Sequence, residues 1–342
     1  MRYKLLGHSG LRISELCLGT MTFGEDWGWG ASQEESQRIF ELFVGAGGNF
    51  IDTANNYTDG SSERIAGELI APTRERYVLA TKYTLTARKD DPNGGGNSRK
   101  NLVQSLEGSL RRLRTDYVDL LWLHMWDGMT PLDEALRALD DVVRSGKVLY
   151  VGFSDTPAWV ISQAVTAAEL RGYTRPVAAQ MPYSVLRRDP ERDLLPMARA
   201  LDLAVLAWAP LAGGVVTGKY GGQSQEPRRY GEHTVGEADQ RVVEAVAAVA
   251  REIGRSPAQV ALGWMRQRQE GDVIIPIVGT RTVAQMRENL GCLDLTLTPD
   301  QLRRLDEASG FRRGFPMDFL EDDEVTELIF GGTRPLIDTH RR

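Results

Sequence analysis

The chain has 342 residues, 42% of them hydrophobic and 26% charged, which is globular usage and excludes wholesale disorder and low-complexity architecture. A formal charge of −6 and a pI near 5.5 argue against a nucleic-acid partner, which would need a basic stripe. Local pairs such as Arg187-Arg188 and Arg228-Arg229 read as solvated faces or loop anchors. In chain order, apolar runs at 16–20, 49–54, 77–82, 118–124, 150–154, 177–180, 203–210 and 273–279 each have the length and composition of a buried strand. Helical patterns lie between them. Segment 33–46 sets Ile39, Leu42, Phe43 and Ala46 at three- and four-residue spacing, and 102–113 repeats Leu102, Leu106, Leu110 and Leu113. Ser98 and Pro131 mark helix starts and Gly146 a helix end, while Thr130-Pro131 and Thr156-Pro157 predict a cap followed by proline at the first helical position.

Eight strands alternating with helices predict an α/β fold, a (β/α)8 TIM barrel. A doubly wound sheet would carry a Gly-rich turn after its first strand, and Leu18-Gly19-Thr20-Met21 is followed by no such turn. Two connections are long: 83–97, and the stretch between the seventh and eighth strands, where 221–237 is polar and irregular and 238–253 and 256–269 are helical patterns. With no linker to divide it, 1–342 reads as a single barrel domain, with 310–342 as a tail near the pocket and the acidic run at 321–324 as a solvated turn.

Cys17 and Cys292 cannot form a disulfide framework and read as small buried thiols of a reducing, cytoplasmic protein. The N-terminus lacks the apolar core of a secretory signal. The most apolar stretch, 203–216, contains Pro210 and two glycines and is shorter than a bilayer span, so no membrane partner is expected. His8, His124, His233 and His340 have no metal-ligand spacing, so no metal is expected.

In a barrel the chemistry collects at the C-terminal ends of the strands. Asp52, Lys82 and His124 end three consecutive predicted strands, and Tyr57 follows Asp52 in the adjacent loop. A phenol is a poor donor at neutral pH, but an ammonium beside it stabilises the phenolate, so Lys82, kept charged by Asp52, is expected to lower the pKa of Tyr57. A neutral His124 would orient a substrate oxygen. This set suits protonation of an alkoxide formed when hydride reaches a carbonyl, and because no side chain supplies hydride, a nicotinamide-type cofactor is required.

The motifs FIDTANNY (50–57), LATKY (79–83), DLLWLHMWD (119–127), VGFSD (151–155), AAQMPYS (178–184), AWAPLAGGVVTGKY (207–220) and PIVGTRTVAQMRENL (276–290) occur in that order. Across 3–289 the chain resembles the aldo-keto reductases. The resemblance implies a small N-terminal hairpin at 3–11 plugging the barrel, NADPH/NADP+ bound without a Rossmann fold, and a tetrad of Tyr57 as proton donor, Lys82 and Asp52 as its tuning pair and His124 as substrate orienter. It implies that Ser154 and Gln180 hold the carboxamide, that Trp208 stacks on the nicotinamide, and that Gly19, Thr20 and Met21 lie beside that ring and its ribose. Asp155, where relatives commonly have Asn or Arg, departs from the pattern. Ala209, Pro210, Leu211, Gly213 and Lys219 fall in the pyrophosphate clasp.

Gly279-Thr280-Arg281 is expected to open a helix running through Gln285, Glu288 and Asn289, whose free N–H groups and Arg281 make an anion site. The resemblance implies that this element holds the 2′-phosphate and adenine, which favours NADPH over NADH. Trp27, Trp29 and Trp126 are candidate walls for a small-molecule carbonyl substrate. The chain is also similar to the branch that holds potassium-channel β subunits, so a non-catalytic NADP(H)-binding sensor is the alternative; relatives of that kind commonly have Asn where this chain has His124. A Schiff-base lysine is a further alternative, against which stands the charge that Asp52 would keep on Lys82.

Overall fold

The computed structural model describes residues 1–86, 88–219, 236–268 and 273–339. Of the sequence expectations, loop 221–237 short of its last two residues, Arg228-Arg229, His233, His340 and the end of the 256–269 pattern lie outside these residues. The chain opens with an antiparallel hairpin of β1 (Tyr3–Leu5) and β2 (Arg12–Ser14). The eight apolar runs then form β3 (Cys17–Gly19), β4 (Phe50–Asp52), β5 (Val78–Tyr83), β6 (Val118–Leu123), β7 (Val148–Ser154), β8 (Ala178–Pro182), β9 (Ala204–Trp208) and β10 (Ile274–Gly279). All pair in parallel with their sequence neighbours, and β10 pairs with β3 to close the barrel.

Strand alternation sorts the apolar side chains into two cores. Cys17, Phe50, Ala80, Trp122, Ala178 and Leu206 fill the barrel interior. Their neighbours Leu18, Ile51, Leu79, Leu121, Ala179 and Val205 face outward against the helices. The hairpin closes the interior from below: Leu6 and Ile13 are fully buried in the inner core. Its turn needs Gly7, which holds φ +51°, and an added Cβ would lie 2.2 Å from the Val177 carbonyl oxygen.

The outer layer comprises α1 (Gln33–Gly45), α2 (Ser61–Ile70), α3 (Arg99–Leu113), α4 (Leu132–Arg144), α5 (Ala158–Arg171), α6 (Leu194–Ala200), α7 (Glu237–Ile253), α8 (Pro257–Gln267), α9 (Val283–Leu290) and α10 (Pro299–Ser309). Ser98 caps α3 as expected, and Ser256 with Gln259 forms a capping box on α8. The two Thr-Pro starts are shifted by one residue. Pro131 and Pro157 occupy the cap positions themselves, because the threonine hydroxyls are committed to the preceding turns, Thr130 to Asp127 and Thr156 to the Ser154 carbonyl.

Beyond α10, α11 (Met317–Leu320) and α12 (Asp323–Phe330) carry largely exposed side chains. The acidic run is a helix start rather than a plain turn: the Asp322 carboxylate accepts from the Glu324 and Val325 N–H groups, where the helix dipole favours negative charge. Cys17 and Cys292 are free and buried. Among the described residues, no helix is long and apolar enough to cross a membrane.

Candidate active site

Register alone brings Asp52, Lys82 and His124 together. Asp52 ends β4, Lys82 lies near the end of β5 two residues past inward-facing Ala80, and His124 follows β6 two residues past inward-facing Trp122, so all share the inner face at one mouth. Tyr57 opens the short 3-10 turn Tyr57–Gly60 after β4. Lys82 is fully buried, and its ammonium donates to the Asp52 carboxylate through Oδ2, to the Thr53 carbonyl at 2.9 Å and to the Tyr57 phenol oxygen at 3.0 Å. All three of its donors are thereby used. The other oxygen of Asp52 accepts from Trp122 Nε1 at 2.9 Å and Gln180 Nε2 at 3.2 Å.

Trp122 reaches Asp52 across the barrel because Gly152 on β7 has no side chain; a Cβ there would meet the indole at 2.4 Å. The His124 and Tyr57 rings meet edge to face, with centroids 6.1 Å apart and planes at 82°. The His124 N–H donates to Thr84 Oγ1 at 3.2 Å, and that hydroxyl also accepts from Asn97 Nδ2 at 3.0 Å. Strained backbone surrounds the site: Thr58, Thr84, Asp155, Ala209 and Ala212 hold positive φ in the loops after β4, β5, β7 and β9.

The electrostatics correct one expectation. Burial raises the pKa of Tyr57, and the Asp52 charge adds to this, while Lys82 opposes; the net shift is upward rather than downward. Tyr57 is therefore a neutral phenol at physiological pH. Its oxygen is occupied by Lys82, which leaves its O–H available to a ligand. Burial alone would lower Lys82, but Asp52 and Tyr57 outweigh it and hold the ammonium charged, which argues against a Schiff-base lysine. Burial, helped by Lys82, pushes His124 down to about 2, so its ring is neutral.

These groups open into a cavity of about 640 Å³. Gly19, Met21, Trp27, Trp29, Asp52, Tyr57, His124, Asp155, Gln180 and Trp208 line it. Ala209, Pro210, Leu211, Gly213, Lys219, Gly279, Arg281, Gln285, Glu288 and Asn289 belong to the same lining. Trp27 and Trp29 form a tilted pair with centroids 5.8 Å apart.

Thr20, Ser154 and Trp126 are not part of the lining. Thr20 shares the outward phase of Leu16 and Leu18, and its hydroxyl bonds Ser62 Oγ at 2.8 Å. Trp126 packs on the outer core. Ser154 is buried beside lining residue Asp155, and its hydroxyl has no protein partner among the described residues.

The helix expected to open at 279 begins later. Thr282 caps α9, and the nearby N–H groups are already taken: Arg281 N–H by Gln285 Oε1, Val283 N–H by Glu35 and Gln285 N–H by Thr282. Three backbone donors at this helix start are thereby committed within the protein, and the Arg281 and Lys219 side chains lie in the same lining. Sequence reading missed Thr22, Asn56, Leu85 and Thr217 in the lining, and Trp122 behind Asp52. Trp122 stands two residues before His124, and that period-2 signal could have found it.

A nicotinamide dinucleotide fits this donor set. Among the described residues the buried hydroxyls of Thr280, in the lining, and of Ser154, next to lining residue Asp155, have no protein partner and could serve polar groups of such a ligand.

The profile of the Aldo/keto reductase family matches residues 15–309. The chain is 37% identical to a norsolorinic acid reductase of Aspergillus flavus, over 92% of this chain and 83% of that protein. It is 36% identical to an aryl-alcohol dehydrogenase [NADP(+)] of Phanerodontia chrysosporium, over 90% and 85%. It is 38% identical to the uncharacterized oxidoreductase YrpG of Bacillus subtilis, over 90% and 95%.

Proposed function

Because the chain belongs to the aldo/keto reductase family, we propose that it is an NADPH-dependent reductase of aromatic aldehydes or ketones, running in reverse as an alcohol dehydrogenase when NADP+ dominates. The observation that carries this reading is the Asp52–Lys82–Tyr57 hydrogen-bond chain ending in a free phenol O–H inside a cavity shared with a neutral histidine. When bound, the reduced nicotinamide supplies the hydride.

Tyr57 gives its phenolic proton to the carbonyl oxygen as negative charge gathers there, and Lys82 stabilises the phenolate left behind. Asp52 keeps Lys82 charged and in place, with Trp122 and Gln180 holding the carboxylate. His124, carrying its proton on Nε2, donates to the same carbonyl oxygen and fixes its position. Ser154 and Gln180 would hold the carboxamide, Trp208 the ring, the loop from Ala209 to Lys219 the pyrophosphate, and Arg281 the 2′-phosphate.

The aromatic preference is supported by Trp27 and Trp29 in the same cavity lining as Tyr57, and by relatives named for an aryl alcohol and for norsolorinic acid. Two free buried thiols fit a reducing compartment, the cytoplasm. The test is initial-rate measurement of NADPH and NADH oxidation with matched aromatic and aliphatic aldehydes. NADPH consumption fastest with aromatic substrates supports the reading; NADPH that binds but stays unconsumed across the panel overturns it in favour of a sensor.

A further inference from the structure

We infer, resting on the reading above, that Asp155 is the electrostatic partner of the nicotinamide ring: its carboxylate favours the oxidised, cationic cofactor over the reduced, neutral one. Asp155 lines the cavity with Tyr57, His124, Gln180 and Trp208. It is held from several sides. Its N–H donates to the Gln180 carbonyl at 3.1 Å, Oδ1 accepts from Trp208 Nε1 at 3.0 Å, and its backbone sits at φ +41°.

The charges of Asp52, Lys82, Tyr57, His124 and Asp155 do not cancel. Asp52 and Lys82 neutralise each other in direct contact, His124 is neutral, and Tyr57 is a neutral phenol. Asp155 makes no ion pair among the described residues, so it leaves one negative charge where the ring binds. Burial raises its pKa, which Trp208 and Lys82 oppose. Inside a partly dry cavity a fixed charge acts over several ångströms. Asp155 would lower the energy of the positive charge that the ring carries in the oxidised cofactor, without moving, and so would assist carbonyl reduction at the cost of tighter product cofactor.

A second role, holding the Trp208 ring, rests on the same side chain, and the test separates the two. Asp155→Asn keeps an acceptor oxygen for Trp208 and tolerates positive φ, but removes the charge. Wild type and variant are titrated with NADP+ and with NADPH, following quenching of protein fluorescence. The two ligands share every phosphate and differ only in the ring. Asp155→Asn is expected to raise the ratio Kd(NADP+)/Kd(NADPH) by about tenfold, the equivalent of about 1.4 kcal/mol. Asp155→Ser, also uncharged, is expected to shift the ratio in the same direction. An unchanged ratio, including equal weakening of both ligands, overturns the inference alone. Wild type that binds neither form overturns the cofactor reading and the inference with it.

Discussion

Tyr57→Phe is the substitution whose consequences the structure defines most closely. Among the described residues the phenol oxygen has one hydrogen-bond partner, Lys82 Nζ at 3.0 Å, and Lys82 keeps Asp52 and the Thr53 carbonyl when that bond is lost. One buried N–H is left unsatisfied, which costs about 1–3 kcal/mol of stability. The ring remains, so its edge-to-face contact with His124 at 6.1 Å is kept and the histidine stays in place. Loss of a positioned general acid lowers rates by roughly 10²–10⁴-fold. At about 1.36 kcal/mol per decade, that is roughly 3–5 kcal/mol of transition-state stabilisation. The assay measures kcat/KM for aldehyde reduction and Kd for NADPH on the same preparation. Intact NADPH affinity with a rate at least a hundredfold lower, about the lower bound for acid catalysis, is expected. A rate within about threefold of wild type would remove Tyr57 from the donor role, since that is far below the acid-catalytic range.

Other consequences follow from the same geometry. Reduction needs the protonated phenol, which is lost only as pH climbs through a pKa raised above 10, and His124 at about 2 stays neutral, so reductive kcat is expected to be flat from about pH 6 to about pH 9. Alcohol oxidation needs the phenolate and should rise with pH over the same range; a limb near the ordinary histidine value of 6.5 that disappears in His124→Asn would contradict the assignment. Arg281→Ala should weaken NADPH by about 10- to 100-fold, the scale of a charge-assisted hydrogen bond, while leaving NADH nearly unchanged, and equal losses by calorimetry would refute a 2′-phosphate contact. Away from the site, Arg74→Leu strands Asp119, which it meets at 2.7 Å in the interior, and should cost about 3–5 kcal/mol in denaturant unfolding with NADPH affinity intact. A loss below about 1 kcal/mol would show the pair to be dispensable, as exposed pairs are.

The barrel was legible because eight apolar runs of strand length each became a strand, and Asp52, Lys82 and His124 because strand ends converge on one mouth. Which strand-end side chain points inward needed the period-2 phase as well. Thr20 follows Leu16 and Leu18 on the outward phase, and a reading that carried the alternation to the end of the strand would have set it apart from Gly19. The inward phase of Trp122 was readable, but its contact with Asp52 was not, because the indole needs the absence of a side chain at Gly152, on the neighbouring strand. The sign of the Tyr57 shift was beyond the sequence. Proximity of Lys82 was readable, but the depth of burial and the opposing charge of Asp52 belong to the tertiary structure. The start of α9 was misread although its cap is local, since Thr282 with Gln285 three residues on is a helix-start pattern; only the Glu35 acceptor of the Val283 N–H, from the distant α1, lay beyond the sequence.

A single-turnover experiment examines the catalytic reading most directly: protein preloaded with stoichiometric NADPH is mixed rapidly with an aromatic aldehyde, and cofactor absorbance is followed. Wild type should lose the absorbance of one NADPH per chain in a fast phase, and Tyr57→Phe should lose it slower by two or more orders of magnitude, about the range of general-acid catalysis. Persistent absorbance in the wild type, or equally fast loss in both proteins, would contradict the view that the Asp52–Lys82–Tyr57 chain delivers the proton.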